Sequence, residues 1–173
     1  MSLPKFVAVL TLLVTVTGCG FQPLHGRVSD GRSTQAVLSQ VRVEVIRDRP
    51  GQVLRNFLLD RLSPRGVSLD PRWSLKVEVS ESIVSLGVLK TSEATRANLW
   101  FRGSFSLTPL KDQGEALTGT IETVSSFDIQ SAEFGTLSAE KDARIRALRQ
   151  MSDDLVSRIA VHFRSVLERG KAS

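Results

Sequence analysis

From Val41 onward the chain alternates apolar and polar positions. Val41, Val43 and Val45 are separated by Arg42 and Glu44, the period-2 pattern of a half-buried strand. The pattern then changes to helical spacing. Asp48-Arg49-Pro50-Gly51 opens the segment, with Asp48 as a cap and Pro50 in a first turn that tolerates its missing N–H. Leu54, Phe57, Leu58 and Leu62 fall on one face, and Ser63-Pro64-Arg65-Gly66 ends the helix. Period 2 returns at Trp73, Leu75, Val77 and Val79. It slips near Glu81 and resumes at Ile83, Leu86 and Val88, which predicts a bulge or bend within one long strand. Two further apolar rows, Leu99-Phe101-Phe105-Leu107 and Leu117-Ile121-Phe127-Ile129, predict two more strands. Turns are expected over Lys90 to Ala97 and Pro109 to Glu115. A closing helix is expected from Ser138, with Glu140 and Asp142 in its first turn, to about Arg169. Its stripe is Leu148, Met151, Leu155, Ile159, Phe163 and Val166, on a rod of roughly 45 Å. The order β-α-β-β-β-α predicts an α+β fold. It is a two-layer domain whose four-stranded, mainly antiparallel sheet carries two helices on one face.

The N-terminal part follows neither period. Lys5 precedes an apolar run from Phe6 to Val16, and Thr17-Gly18-Cys19 follows it with the chain's one cysteine. A short apolar run behind a basic residue is a secretory signal rather than a structural helix. Val16-Thr17-Gly18-Cys19 resembles a bacterial lipobox. That resemblance implies cleavage before Cys19, acylation of its thiol and new amine, and a lipid anchor at Cys19. One acyl chain, at roughly 0.8 kcal/mol per buried CH2, holds only marginally, whereas several hold firmly. Residues 1–18 are then a removed signal, 19–40 a lipidated tether, and 41–173 a single α+β domain. About 20 tether residues span on the order of 25 Å. Gly20, in place of the Asp that retains many lipoproteins in the inner membrane, points to the outer membrane.

Charge and chemistry change this picture little. The formal net charge is +5, of which the signal removes only Lys5. The basic balance suits anionic partners, but no nucleic-acid motif accompanies it. No stretch beyond the signal approaches the roughly 20 apolar residues of a membrane-spanning helix. Of the two histidines, His25 lies in the tether and His162 beside the stripe of the last helix. Neither has metal-ligand spacing to other donors, and no nucleophile or phosphate-loop motif is present. Asp153-Asp154 reads as a solvated helix face. No catalytic residue, metal site or cofactor is therefore assigned. The polar strand rows carry Arg42, Glu44, Lys76, Glu78 and Arg102, and Trp100 shares their phase. Trp100 either anchors a partner or packs at a sheet edge or under a loop. Lys90, Arg96 and Arg102 form a basic group near a hairpin tip, suited either to phosphates or simply to solvation.

After the lipobox, the run Cys19-Gly20-Phe21-Gln22-Pro23-Leu24-His25-Gly26 is followed by a strand and by Asp48-Arg49-Pro50-Gly51-Gln52-Val53-Leu54-Arg55-Asn56. This combination, with the element order and long last helix, resembles the lipopolysaccharide-assembly lipoproteins of the LptE family. His25 stands where that family usually has an aromatic residue. The resemblance implies a non-enzymatic lipoprotein on the periplasmic side of the outer membrane, plugging the LptD β-barrel. It also implies help in assembling that barrel and in inserting lipopolysaccharide into the outer leaflet. Lipopolysaccharide contact is expected at Lys90, Arg96 and Arg102, and partner contact at Trp100. The main rival is a lipoprotein adaptor of another envelope complex, an ABC-type lipid-transport auxiliary subunit or a pilotin. A periplasmic hydrolase and a passive structural lipoprotein are further alternatives.

Overall fold

A computed structural model describes residues 34–88, 94–111 and 114–169. The elements run α1 (Thr34–Leu38), β1 (Val41–Val43), α2 (Asp48–Leu62), β2 (Trp73–Val88), β3 (Ala94–Pro109), β4 (Leu117–Asp128) and α3 (Glu133–Arg169). The sheet order is β1-β2-β3-β4. β1 lies parallel to β2 over only three residue pairs, Val41–Trp73 to Val43–Leu75, because α2 makes the crossover between them. β2, β3 and β4 form an antiparallel meander. This is the expected α+β architecture, with a mixed sheet and both long helices on one face.

The apolar rows meet where period and phase require. Leu75, Leu99, Phe101 and Leu107 on the sheet are fully buried, as are Leu148, Met151, Leu155 and Ile159 on α3. Gly103 lets the two layers approach: a Cβ there would sit 3.2 Å from the Ile121 side chain and 3.8 Å from the Met151 sulfur. Thr123, buried among these residues, donates its hydroxyl to the Ala147 carbonyl at 3.2 Å and so satisfies itself while tying β4 to α3. On α2, Leu54, Leu58 and Leu62 face the core, and Gly51 is small because Ile46 packs directly against it.

Several boundaries differ from the sequence reading. α1 lies inside the expected tether, and its Leu38 is fully buried. The short apolar run Ala36-Val37-Leu38 in a polar segment sets no period, so only packing reveals that the folded part begins before Val41. Asp48 does not cap α2. It adopts φ 66°, a conformation that Asp tolerates better than most residues, and no side-chain cap bond comes from Arg47 ahead of it. α3 starts at Glu133, not Ser138, and its 37 residues make a rod of about 55 Å. Its entry is held by Thr136, whose hydroxyl accepts from the Gln130 N–H at 2.9 Å and donates to the Gln130 carbonyl at 3.2 Å. β3 resumes at Ala94, so Thr95 to Ala97 belong to a strand rather than a turn.

The largest difference is at Glu81. β2 pairs with β3 in one register from Trp73–Pro109 to Leu86–Arg96, with no bulge. Glu81 keeps the core-facing phase and meets Arg144 of α3, whose guanidinium donates to both Glu81 carboxylate oxygens at 2.6–3.2 Å. Glu140, one turn earlier on α3, accepts from the same guanidinium at 2.7 Å. A charge in an apolar row thus mimics a slip in phase. Ile83 faces the helix layer, whereas Leu86 lies on the opposite face, not in the same row.

Candidate partner-binding surface

The face of the sheet away from α2 and α3 is built from the even-numbered residues of β2, β3 and β4. Along β3 these are Arg96, Asn98, Trp100, Arg102 and Ser104, so both arginines and the indole project from a single strand on the uncovered side. The register places Trp100 between Ser82 of β2 and Val124 of β4. The Arg102 guanidinium stands 5.7 Å from the Trp100 ring centroid, a cation–π distance, and donates to Glu122 at 2.7 Å. Arg96 donates to Asp128 at 3.0 Å, and Ser126 donates to Asn98 at 2.7 Å. The middle of the face is a shallow concavity of about 860 Å³, whose lining includes Glu78, Ser80, Arg102, Ser104, Thr120 and Glu122.

Of the basic group expected at the hairpin tip, Arg96 and Arg102 are described, and these two are not adjacent. Arg96 and Arg102 are six residues apart on one strand, roughly 20 Å, and each already holds a cross-strand carboxylate. Both remain about two-thirds exposed, at 61% and 64% of the side chain. Surface pairs of this kind contribute about 0–1 kcal/mol and leave the guanidiniums free to exchange partners. Cys19, His25 and Lys90 lie outside the described residues. Trp100 is half-buried beside Arg102 on the interior strand β3, so it is not at an edge strand.

Several other polar groups find partners inside the fold. His162 Nε2 lies 3.0 Å from the Glu115 carbonyl, and its ring meets Trp73 edge-on at 6.4 Å. Asp153 is paired with Arg61 of α2, so the expected solvated face also joins two helices. Lys111 donates to both Asp70 oxygens, at 2.9 and 3.1 Å, and its hydrogen bond and charge hold that exposed carboxyl below the ordinary carboxylate range. Glu81 and Glu140 raise the pKa of Arg144, chiefly through the Glu81 hydrogen bonds. Among the described residues, no three His, Cys, Asp or Glu side chains are grouped to hold a metal ion.

What the sequence reading missed is an apolar patch at the far end of the open face, where Val84 and Leu86 of β2 and Val124 of β4 are exposed beside Trp100. The signal was available. Holding the phase of Lys76, Glu78 and Ser80 through Glu81 places Ser82, Val84 and Leu86 in the same row.

The architecture and sequence now meet an independent comparison. The family model for lipopolysaccharide assembly, LptE, matches residues 38–159. The chain belongs to the LptE family. The match begins at Leu38, the buried residue of α1, and runs to Ile159 in the core stripe of α3. No curated protein matches the sequence. Among solved structures, a Caulobacter crescentus CB15 protein described as a lipoprotein is 21% identical, with a TM-score of 0.62, over 74% of this chain and 93% of its own. A minor lipoprotein from Acinetobacter baumannii is 17% identical, with a TM-score of 0.54, over 70% and 90% of the two chains. Lipoprotein B from Nitrosomonas europaea is 10% identical, with a TM-score of 0.55, over 75% and 85%. At these identities the likeness is one of fold. Family membership assigns the chain to lipopolysaccharide assembly in the cell envelope.

Proposed function

We propose that this LptE-family chain is anchored by lipid at Cys19 on the periplasmic side of the outer membrane. There it occupies the lumen of an LptD-like β-barrel as a plug. In this role it assists assembly of the barrel and insertion of lipopolysaccharide into the outer leaflet. The observation that carries the reading is the contrast between the two sheet faces. One is sealed by α2 and α3; the other is long, mainly polar and, among the described residues, uncovered, with Trp100 near its middle. A polar, weakly concave sheet suits the polar interior of a large barrel, where an apolar face would be left without a partner. Half-exposed Trp100, flanked by Arg102, is the kind of group that anchors such contacts. Arg96, Arg102 and Lys90 are the groups proposed to meet lipopolysaccharide phosphates, which would compete with Asp128 and Glu122 for the first two. A plug of this kind requires no catalytic group and no cofactor.

The test is purification of the full-length lipoprotein from detergent-solubilised envelopes, with identification of a stoichiometric partner. A large β-barrel retained about one to one is expected, and Trp100→Ala is expected to weaken its retention while leaving the fold intact. Stoichiometric recovery with an inner-membrane transporter would sink the plug reading in favour of another lipoprotein adaptor.

A further inference from the structure

Because β1 covers only three residues of β2, both β2 and β4 have long sides with no neighbouring strand among the described residues. On β2 the ladder to β1 stops at Leu75, whose carbonyl accepts from the Glu44 N–H at 3.0 Å. That bond shows which way Leu75 points its backbone groups. Because the direction alternates with period 2, Val77, Val79, Glu81, Ile83 and Ser85 also direct their N–H and C=O away from β3. Among the described residues no strand pairs with them. The far half of this edge also carries apolar side chains on both faces: Ile83 towards the helix layer is 46% exposed, and Val84 and Leu86 on the open face are 49% and 39% exposed.

Proteins ordinarily blunt such an edge with proline, a bulge, an inward-pointing charge or a covering element. Among the described residues, none of these operates over Ile83 to Leu86. The register is unbroken, the segment contains no proline, and the one inward charge, Glu81, is neutralised by Arg144. The opposite edge is treated differently. Arg158 donates to the Thr120 carbonyl at 2.7 Å and Arg146 to the Ser126 carbonyl at 3.3 Å, so α3 covers outer acceptors of β4.

A row of outward donors and acceptors repeating every second residue is complementary to one kind of partner, another extended backbone. We propose that the outer edge of β2, from Val79 to Ser85, receives an extended segment of the barrel partner as a fifth strand. The segment's side chains beside Ile83, Val84 and Leu86 are apolar, as cross-strand packing requires. A second copy of this chain is the poorer occupant, because each mature copy, having lost Lys5 with the signal, carries the same net charge of +4. The inference rests on the plug reading and extends it to a specific docking edge, continuous with the apolar end of the open face.

The test uses the full-length lipoprotein alone and in complex with its barrel, with amide hydrogen exchange read along β2. In the complex, the amides of Val79, Glu81, Ile83 and Ser85 are expected to gain at least tenfold protection. Ser85→Pro removes an outward N–H without breaking the ladder to β3. It is expected to leave the melting temperature of the isolated protein nearly unchanged and to weaken the complex tenfold or more. Ile83→Lys, at an exposed side chain, is expected to do the same, and it serves if the proline variant fails to fold. A wild-type complex whose edge amides stay unprotected, with both variants binding normally, overturns strand addition and leaves the plug reading standing. Failure of the wild-type chain to form any barrel complex overturns both. Edge protection that appears in the isolated chain with rising concentration overturns the partner assignment in favour of self-pairing.

Discussion

Along β4, α3 reaches over the outer edge: Arg158 and Arg146 bond the Thr120 and Ser126 carbonyls, and Thr123 returns a bond to Ala147. Along β2 beyond Leu75, α3 touches the edge strand chiefly through Arg144 and Glu81, and the outward backbone groups past that bridge have no described partner. Both edges belong to one sheet under one helix, so the difference comes from where the helix crosses. α3 lies over β4 for most of its buried length; it packs His162 and Phe163 against Trp73 at the start of β2, and beyond Leu75 it reaches β2 chiefly with the long side chain of Arg144. A sheet edge is closed when a covering helix supplies donors at hydrogen-bonding distance, and proximity of the helix alone does not suffice. The open edge is also the one that adjoins the exposed apolar end of the polar face. Surface available for a partner is therefore concentrated on one side of the molecule.

Substitutions on β2, β4 and α3 test the difference between the two edges. The largest effect is expected at Val84, whose N–H points into the β2–β3 ladder. Val84→Pro should destabilise the isolated protein by about 2–3 kcal/mol, by deleting a ladder bond and leaving its acceptor unsatisfied. Chemical denaturation measures this, and a loss as small as that of Ser85→Pro would show that the inferred alternation of inward and outward groups is wrong. Glu81→Ala comes next. It removes a bidentate, half-buried partner from Arg144 and leaves Glu140 as the remaining carboxylate, for a cost of about 1–2 kcal/mol. If Glu81→Ala instead changes nothing, the bridge does not hold α3 to the β2 side. The smallest effect belongs to the paired substitution of Arg146→Ala and Arg158→Ala. Both side chains are exposed, so stability should fall by only about 1 kcal/mol or less. Their diagnostic is exchange and association. Amides along β4 should lose protection and the protein should self-associate more readily, making β4 resemble β2. No change in either would mean that the arginines do not guard that edge.

Where the pattern of the chain was simple, the architecture was legible in it. The apolar rows of β3 and β4 and the stripe of α3 depend on spacing alone, and that stripe is buried in the core from Leu148 to Phe163. Trp100 was likewise placed on the polar face by phase. The reading failed at positions where one side chain departs from its row for a reason elsewhere in the chain. Glu81 resembled a bulge because its counter-charge, Arg144, is 63 residues away. Leu38 looked like tether because its packing partners belong to other elements. Arg96 and Arg102 looked like neighbours of a basic tip because a strand continues where a turn was expected, and each finds its carboxylate on β4.

Legible in the chain's own pattern are the order and type of the elements from β1 to α3, the layer that each long helix seals, and the motif from Val16 to Cys19 that resembles a lipoprotein signal. These are consequences of period, composition and local chemistry. Only the tertiary structure decided which edge of the sheet is covered. That outcome depends on the crossing of α3 and on the short reach of β1, and therefore on distances between residues that no local pattern encodes.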